Sequence, residues 1–247
     1  MTELTEDDRQ LDYGSHADQH VSLSFTAAPA AKGTAVLVHG GYWRERIDAS
    51  VMHPMRQSLL DAGWNVANVE YRRGPSHPWP IPTQDVRAAL HALRHAMQDP
   101  VLPGPLILIG HSVGGQLVLL NSDLSDATVG LAPVTDVARV FDEDLGESAA
   151  AEYFGKTPAE APAIYRDASP LRHPVPEARV LLVHGQDDDR VPLRHTEDYV
   201  KISAGNPRID TMFHAKLDHF GVISPAEHHW EAVLRWMESV SAGVHAQ

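Results

Sequence analysis

The sequence predicts an α/β fold, a mostly parallel central sheet with helices on both faces. Short runs that are apolar at nearly every position alternate with longer stretches of helical periodicity, the pattern of strands buried on both sides and joined by crossover helices. Glycine, proline and aspartate punctuate the breaks between them, as turns require. A length of 247 residues suits one domain with a large core and is short for two.

In chain order, strands are expected over 21–25 and 34–39, the second containing Thr34-Ala35-Val36-Leu37-Val38. A helix over 50–62 and a strand over 65–70 follow. In the helix predicted over 83–97, Val86, Leu90, Leu93 and Met97 recur at three- and four-residue steps and form one apolar face. Pro82 fits just ahead of that helix, where a missing N–H costs nothing. Strands over 105–110, 127–132, 179–184 and 209–213, with helices over 114–122, 193–204 and 225–240, complete the series. Between 133 and 178 the composition turns to Ala, Asp, Glu and Pro, with short helices expected at 136–141, 148–154 and 158–166. No linker or repeat divides the chain, so residues 1–247 read as a single domain with 133–178 as a small cap insertion. The first ten residues and the last six read as frayed ends.

Gly110-His111-Ser112-Val113-Gly114 lies between the apolar run Pro105-Leu106-Ile107-Leu108-Ile109 and a helix start at Gly115-Gln116-Leu117. A reversal that tight crowds the backbone around the serine, and small residues two before and two after relieve it. Ser112 is the expected nucleophile. Its hydroxyl needs a base, and in the α/β-hydrolase fold the partners follow in the order serine, acid, histidine. Arg179 to Gly185 is a strand ending in glycine, followed by Gln186-Asp187-Asp188-Asp189-Arg190-Val191-Pro192. Asp188, three residues after the glycine and four before the proline, is the expected acid, with Asp187 and Asp189 read as turn-forming neighbours. Ile209 to Phe213 is one more strand, and His219 in the following Asp218-His219-Phe220-Gly221 is the expected base. His214, at the strand end, is the substitute. The other histidines of the 16 read as surface or satisfied core residues.

His39-Gly40-Gly41-Tyr42-Trp43 follows the strand that ends at Val38. Acyl transfer builds negative charge on a carbonyl oxygen, and losing one backbone donor aimed at it costs about 2.7–4 kcal/mol of activation energy. Gly41, Tyr42 and Val113 are the expected amide donors of an oxyanion hole.

His-Gly-Gly-Tyr-Trp together with Gly-His-Ser-Val-Gly resembles the arylformamidase (kynurenine formamidase) branch of the α/β hydrolases, related to the hormone-sensitive-lipase-like esterases. Tyr42-Trp43 stands where those esterases carry a third glycine. Tyr13-Gly14, Asp18-Gln19, Val21-Ser22-Leu23, Glu70-Tyr71-Arg72, Gln84 to Ala89 and Ser169-Pro170-Leu171 extend the resemblance along most of the chain. The resemblance implies hydrolysis of an N-formyl aromatic amide, typically N-formylkynurenine, by Ser112, Asp188 and His219 through a formyl-enzyme. It places the protein in tryptophan catabolism. The aromatic part would rest against Tyr42, Trp43 and Phe220. An insertion at 133–178 caps the active site in this fold, so Phe141, Tyr153, Phe154 and Tyr165 are candidates for the substrate roof, with packing onto the domain surface as the alternative. For Trp43 the sequence also supports a structural role, wedging the oxyanion loop against the core.

The formal charge is −13, from 33 acidic and 20 basic side chains with no basic stripe, which argues against nucleic acid or an anionic membrane as partner. Without cysteine there are no disulfides or cysteine–zinc sites. There is no H-E-x-x-H, and His228-His229 are adjacent and point to different helix faces. No lysine follows Gly114-Gly115 in the P-loop position. No metal or cofactor is expected. The acidic start lacks the basic and apolar regions of a signal peptide, so a cytoplasmic location is expected. A homodimer is compatible with the sequence. The alternatives to a formamidase are a short-chain carboxylesterase with the same triad and a non-catalytic hydrolase-like binding protein.

Overall fold

A computed structural model describes residues 9–97, 102, 104–203 and 206–244. Among these residues, eight strands form one sheet in the order β1-β2-β4-β3-β5-β6-β7-β8. They are β1 (Arg9–Asp12), β2 (His20–Ser24), β3 (Thr34–Val38), β4 (Asn65–Val69), β5 (Leu106–His111), β6 (Ala127–Leu131), β7 (Arg179–Gly185) and β8 (Ile209–His214). β1 and β2 run antiparallel to their neighbours, and every pairing from β4 to β8 is parallel. The parallel strands therefore deliver their carboxyl ends to one edge, where α/β sheets build their sites.

The helices are α1 (His53–Asp61), α2 (Ile81–Ala96), α3 (Val113–Leu120), α4 (Val137–Asp142), α5 (Leu145–Phe154), α6 (Pro162–Ala168), α7 (Arg194–Ile202) and α8 (Trp230–Val244). Within β3, Val36 and Val38 join the core on one side of the sheet, with Leu90 and Leu93 of α2 and Leu117 of α3. Ala35 and Leu37 join the core on the other, with Met55 and Leu59 of α1 and Val233 and Met237 of α8. Both faces of the strand are buried, which is why it reads as a continuous apolar run.

The structure departs from the expected elements at several ends. β1 is an additional edge strand, so Arg9 and Gln10 pair with β2 rather than fray; Met1 to Asp8 and the last three residues lie outside the described residues. The stretch expected as one helix over 50–62 is a 3₁₀ turn (Ala49–Met52) followed by α1. Pro54 falls in the first turn of α1, where it displaces no hydrogen bond. α2 begins at Ile81, placing Pro82 inside its first turn. α8 begins at Trp230, because two successive turns, Glu227 N–H to Ser224 and Trp230 N–H to Glu227, precede it.

Residues 133–178 carry α4, α5 and α6. The first residues of α5 are irregular: Gly146, Glu147 and Ser148 have φ of 66°, 57° and 61°. A Cβ on Gly146 would lie 2.7 Å from the Tyr42 ring, so only glycine lets this segment close onto that side chain.

Candidate active site

β5 ends at His111, and the next residue, Ser112, has φ 57° and ψ −117° before α3 begins. A non-glycine residue held there is strained by about 1–3 kcal/mol, and such strain persists only where the surroundings over-determine it. The surroundings are visible. Ser112 donates its N–H to the Leu131 carbonyl at 2.9 Å, and its own carbonyl accepts from Gln116 and Val134 at 3.2 and 3.1 Å. A Cβ on Gly110 would collide with the Gly114 carbonyl, and one on Gly114 with the Val38 carbonyl. Those contacts are backbone and cannot swing aside, which accounts for the G-x-S-x-G spacing.

Asp188 and His219 meet from separate loops. His219 Nδ1–H donates to Asp188 Oδ2 at 2.7 Å. Asp188 Oδ1 accepts from the amides of Arg190 and Val191 at 2.9 and 2.8 Å, so the carboxylate is fixed at both oxygens. Burial opposes the charge on Asp188. The hydrogen bonds from His184, His219 and Val191 outweigh it and hold the carboxyl well below the usual carboxylate range. Asp188 is buried, whereas Asp187 and Asp189 are exposed, which separates the three adjacent acids. His214 packs instead against His228 and His229, with ring centroids 5.0 and 5.5 Å apart.

Two histidines support this pair. His111 Nε2–H donates to the His219 carbonyl at 2.9 Å, and burial, with His219 beside it, pushes the His111 pKa down to about 3. A neutral His111 therefore holds the His219 main chain. His184 Nε2 lies 2.7 Å from the Val191 carbonyl and 3.2 Å from Asp188 Oδ2. The hydroxyl of Thr196 lies 2.7 Å from its Nδ1, so both ring nitrogens are engaged.

A cavity of about 250 Å³ contains Ser112 and His219 together with Gly40, Gly41, Tyr42, and Phe220. Gly40 approaches so closely that a Cβ there would lie 2.8 Å from the Ser112 Cβ. Two carbonyls in this loop are tied back: Gly40 O accepts from His39 Nδ1 at 2.7 Å and Gly41 O from the Arg44 amide at 3.0 Å. In a planar trans peptide the N–H points opposite to its carbonyl, so the Gly41 and Tyr42 amides face away from those tethers. His39 is itself stacked on Tyr71 at 4.4 Å, and the Tyr71 hydroxyl donates to the His39 carbonyl at 2.9 Å.

Tyr42 and Phe220 line the cavity, and Phe220 is 59 % exposed at its mouth. The other aromatic candidates pack elsewhere, and for Trp43 the structure matches the wedge role. Trp43 is 1 % exposed. It stacks on Tyr153 at 5.5 Å, meets Phe154 edge-on, and donates its Nε1–H to Gln116 Oε1 at 3.1 Å. Phe154 packs on Tyr165 at 4.9 Å, and Phe141 meets Tyr165 at 6.1 Å. Trp43, Phe141, Tyr153, Phe154 and Tyr165 thus join the core rather than line the Ser112 cavity. The reason is area: large rings gain more by burial against each other than by roofing a wet cavity. Trp43 and Tyr153 do border a neighbouring cavity of about 440 Å³, which holds none of Ser112, Asp188 and His219.

Arg44, Arg46, Ile47, Val51, His111, Gly146, Glu147 and Arg190 complete the Ser112 cavity. Arg44 and Arg46 follow directly after the His-Gly-Gly-Tyr-Trp segment, a proximity that could have marked them. Nothing in the local sequence points to Gly146 and Glu147. Among the described residues, no group of three His, Asp or Glu side chains is placed to hold a metal ion, and no helix is long and apolar enough to cross a membrane.

A family model for the alpha/beta hydrolase fold matches residues 35–185, more than half of the chain. The chain belongs to the α/β-hydrolase family. This α/β hydrolase is 26 % identical over 193 residues to Esterase LipC of Mycobacterium tuberculosis, covering 67 % of this chain and 47 % of that protein; it spans about half the length of that relative. Esterase B from Lactobacillus rhamnosis superposes with a TM-score of 0.81 at 21 % identity, over 96 % of this chain and 87 % of that one. A truncated carbohydrate esterase from gut microbiota gives 0.79 at 20 % identity, over 96 % and 99 %. At such identities the likeness is one of fold.

Proposed function

We propose that this α/β hydrolase is a serine hydrolase that cleaves an N-formyl aromatic amide, of which N-formylkynurenine is the type, through a formyl-enzyme on Ser112. The 2.7 Å bond between His219 and Asp188, opening on the cavity that holds Ser112, carries the reading. Asp188 occupies Nδ1 of His219 and leaves Nε2 to take the Ser112 proton as the hydroxyl attacks the formyl carbon. The oxyanion is received by the amides of Gly41, Tyr42 and Val113. The protonated His219 then returns its proton to the departing aryl amine, and water, activated by the same imidazole, releases formate. A cavity of about 250 Å³ is below the range typical of drug-sized ligands, which favours a small acyl group and a single ring. Tyr42, whose hydroxyl donates to the Arg190 carbonyl at 2.6 Å, is held against that ring.

A short-chain carboxylesterase with the same residues is the second reading, favoured by the names of the curated relative and of the structural neighbours. Turnover of N-formylkynurenine and p-nitrophenyl acetate side by side, with Ser112→Ala as blank, separates the two. A formamide kcat/KM far above that of the ester is expected. Ester turnover alone would leave the triad in place and remove the formamide.

A further inference from the structure

The Ser112 cavity is cationic within a chain whose formal charge is −13. Arg44, Arg46 and Arg190 line it against one carboxylate-bearing residue, Glu147. The three arginines are not equivalent. Arg44 is engaged: Nε–H donates to Glu152 at 3.1 Å, and its terminal nitrogen donates to the carbonyls of Gly146 and Glu147 at 2.7 and 3.2 Å. Arg46 makes no side-chain hydrogen bond or ion pair among the described residues and borders both cavities. Arg190 is fixed through its backbone, with its amide on Asp188 and its carbonyl on Tyr42. Among the described residues, its guanidinium reaches only Asp189, at 3.5 Å, a side chain 82 % exposed.

We propose that Arg46 and Arg190 recognise a carboxylate on the leaving group, so that the enzyme selects aryl substrates that bear a carboxylate over those that lack one. This rests on reading the Ser112 cavity as the acyl-transfer site. A guanidinium presents a planar fork of donors that matches a carboxylate. Ile47, Val51 and Phe220 in the same cavity wall lower the local dielectric and strengthen that attraction relative to open water. Burial assigns the carboxylate to the leaving side. Ser112 is buried at the inner end, whereas Arg46 and Arg190 are exposed, so the acyl carbon lies at the bottom and the remainder of the substrate extends toward the arginines. A uniformly acidic surface would repel such a ligand, and the two guanidiniums reverse the sign at the mouth.

Formanilide and 3-formamidobenzoate differ only by a carboxylate on the leaving aniline. Calorimetric binding to Ser112→Ala protein is expected to favour the anion by about tenfold, and Arg46→Gln with Arg190→Gln in that background is expected to remove the preference. Equal affinity for the two ligands, or no detectable binding of the anion, overturns the proposal, as does a preference that survives both substitutions. Should the combined variant fail to fold, the Ser112→Ala protein is titrated at low and high salt; a preference that shrinks with salt supports the arginines, and one indifferent to salt counts against them. Turnover of both formamides by the unsubstituted enzyme tests the formamide reading separately. Anion-selective binding without formamide turnover would remove that reading and leave the arginine pair standing.

Discussion

Two regions border one cavity and are held in different ways. The loops at the carboxyl ends of β3, β5 and β7, with the loop after β8, are fixed largely by main-chain bonds. The Ser112 amide binds the Leu131 carbonyl, two amides bind Asp188, and His111 holds the His219 carbonyl. The 133–178 segment reaches the same cavity only through Gly146 and Glu147. Arg44 and the packing of Tyr42 tether it there, while its aromatic side chains turn inward to Trp43. Bond-making chemistry tolerates errors of only about half an ångström, which strand ends and backbone hydrogen bonds can guarantee. The opposite wall needs shape and charge, which a side-chain tether can supply.

Substitutions on the first side should strike catalysis hardest. Ser112→Ala is expected to lower kcat by about a million-fold with the fold intact by circular dichroism; substantial residual turnover would move the nucleophile elsewhere. Asp188→Asn should lower kcat by about ten-thousand-fold, because His219 loses the partner that sets its tautomer. A loss smaller than about tenfold would take Asp188 out of the acid's role.

Trp43→Ala tests the aromatic cluster from the other direction. Removing a fully buried indole should cost about 3–5 kcal/mol in urea unfolding. If Trp43 is a core residue and not a substrate contact, stability falls while KM stays close to that of the unsubstituted enzyme. A raised KM with unchanged stability would restore it to the substrate site.

Acid should weaken the first region through His111. Its folded pKa is about 3, below the ordinary 6.5, so the unfolded chain binds more protons between those values. The stability contributed by neutral His111 is complete above about pH 6.5 and is lost progressively as pH falls toward 3. His195, pushed down to about 4 by burial, acts in the same sense. The urea midpoint should therefore decline across that window, and His111→Gln should flatten the decline. A midpoint independent of pH there would show that His111 is not buried as described.

The smallest effect belongs to the tether. Arg44→Gln removes an ion pair with a half-exposed Glu152, worth at most about 1 kcal/mol. KM should rise a few-fold as Gly146 and Glu147 loosen, with kcat little changed. An effect confined to kcat would place Arg44 on the catalytic side of the comparison.

Much of the first region was legible in the sequence because its constraints are local. The elbow requires Gly110 and Gly114 within two residues of Ser112, and a glycine-terminated strand precedes Asp188. Chain order then singled out His219. His111 and His184 were visible only as residues inside those motifs, since their partners, His219 and Asp188, are set by how neighbouring strands align. Which surface the aromatic residues of 133–178 occupy is not legible, because local sequence does not say whether a buried ring faces a cavity or another ring.

By itself, then, the sequence determined the α/β fold and the alternation of its strands and helices, written in periodicity, while short motifs at strand ends put Ser112, Asp188 and His219 forward as a set. Tertiary structure alone decided that β1 closes the sheet edge, that Trp43 and the 133–178 aromatics share a core, and that Arg44, Arg46 and Arg190 converge on one cavity. Those arrangements depend on contacts between residues far apart in the chain, where packing area and charge placement, rather than local backbone preference, choose the outcome.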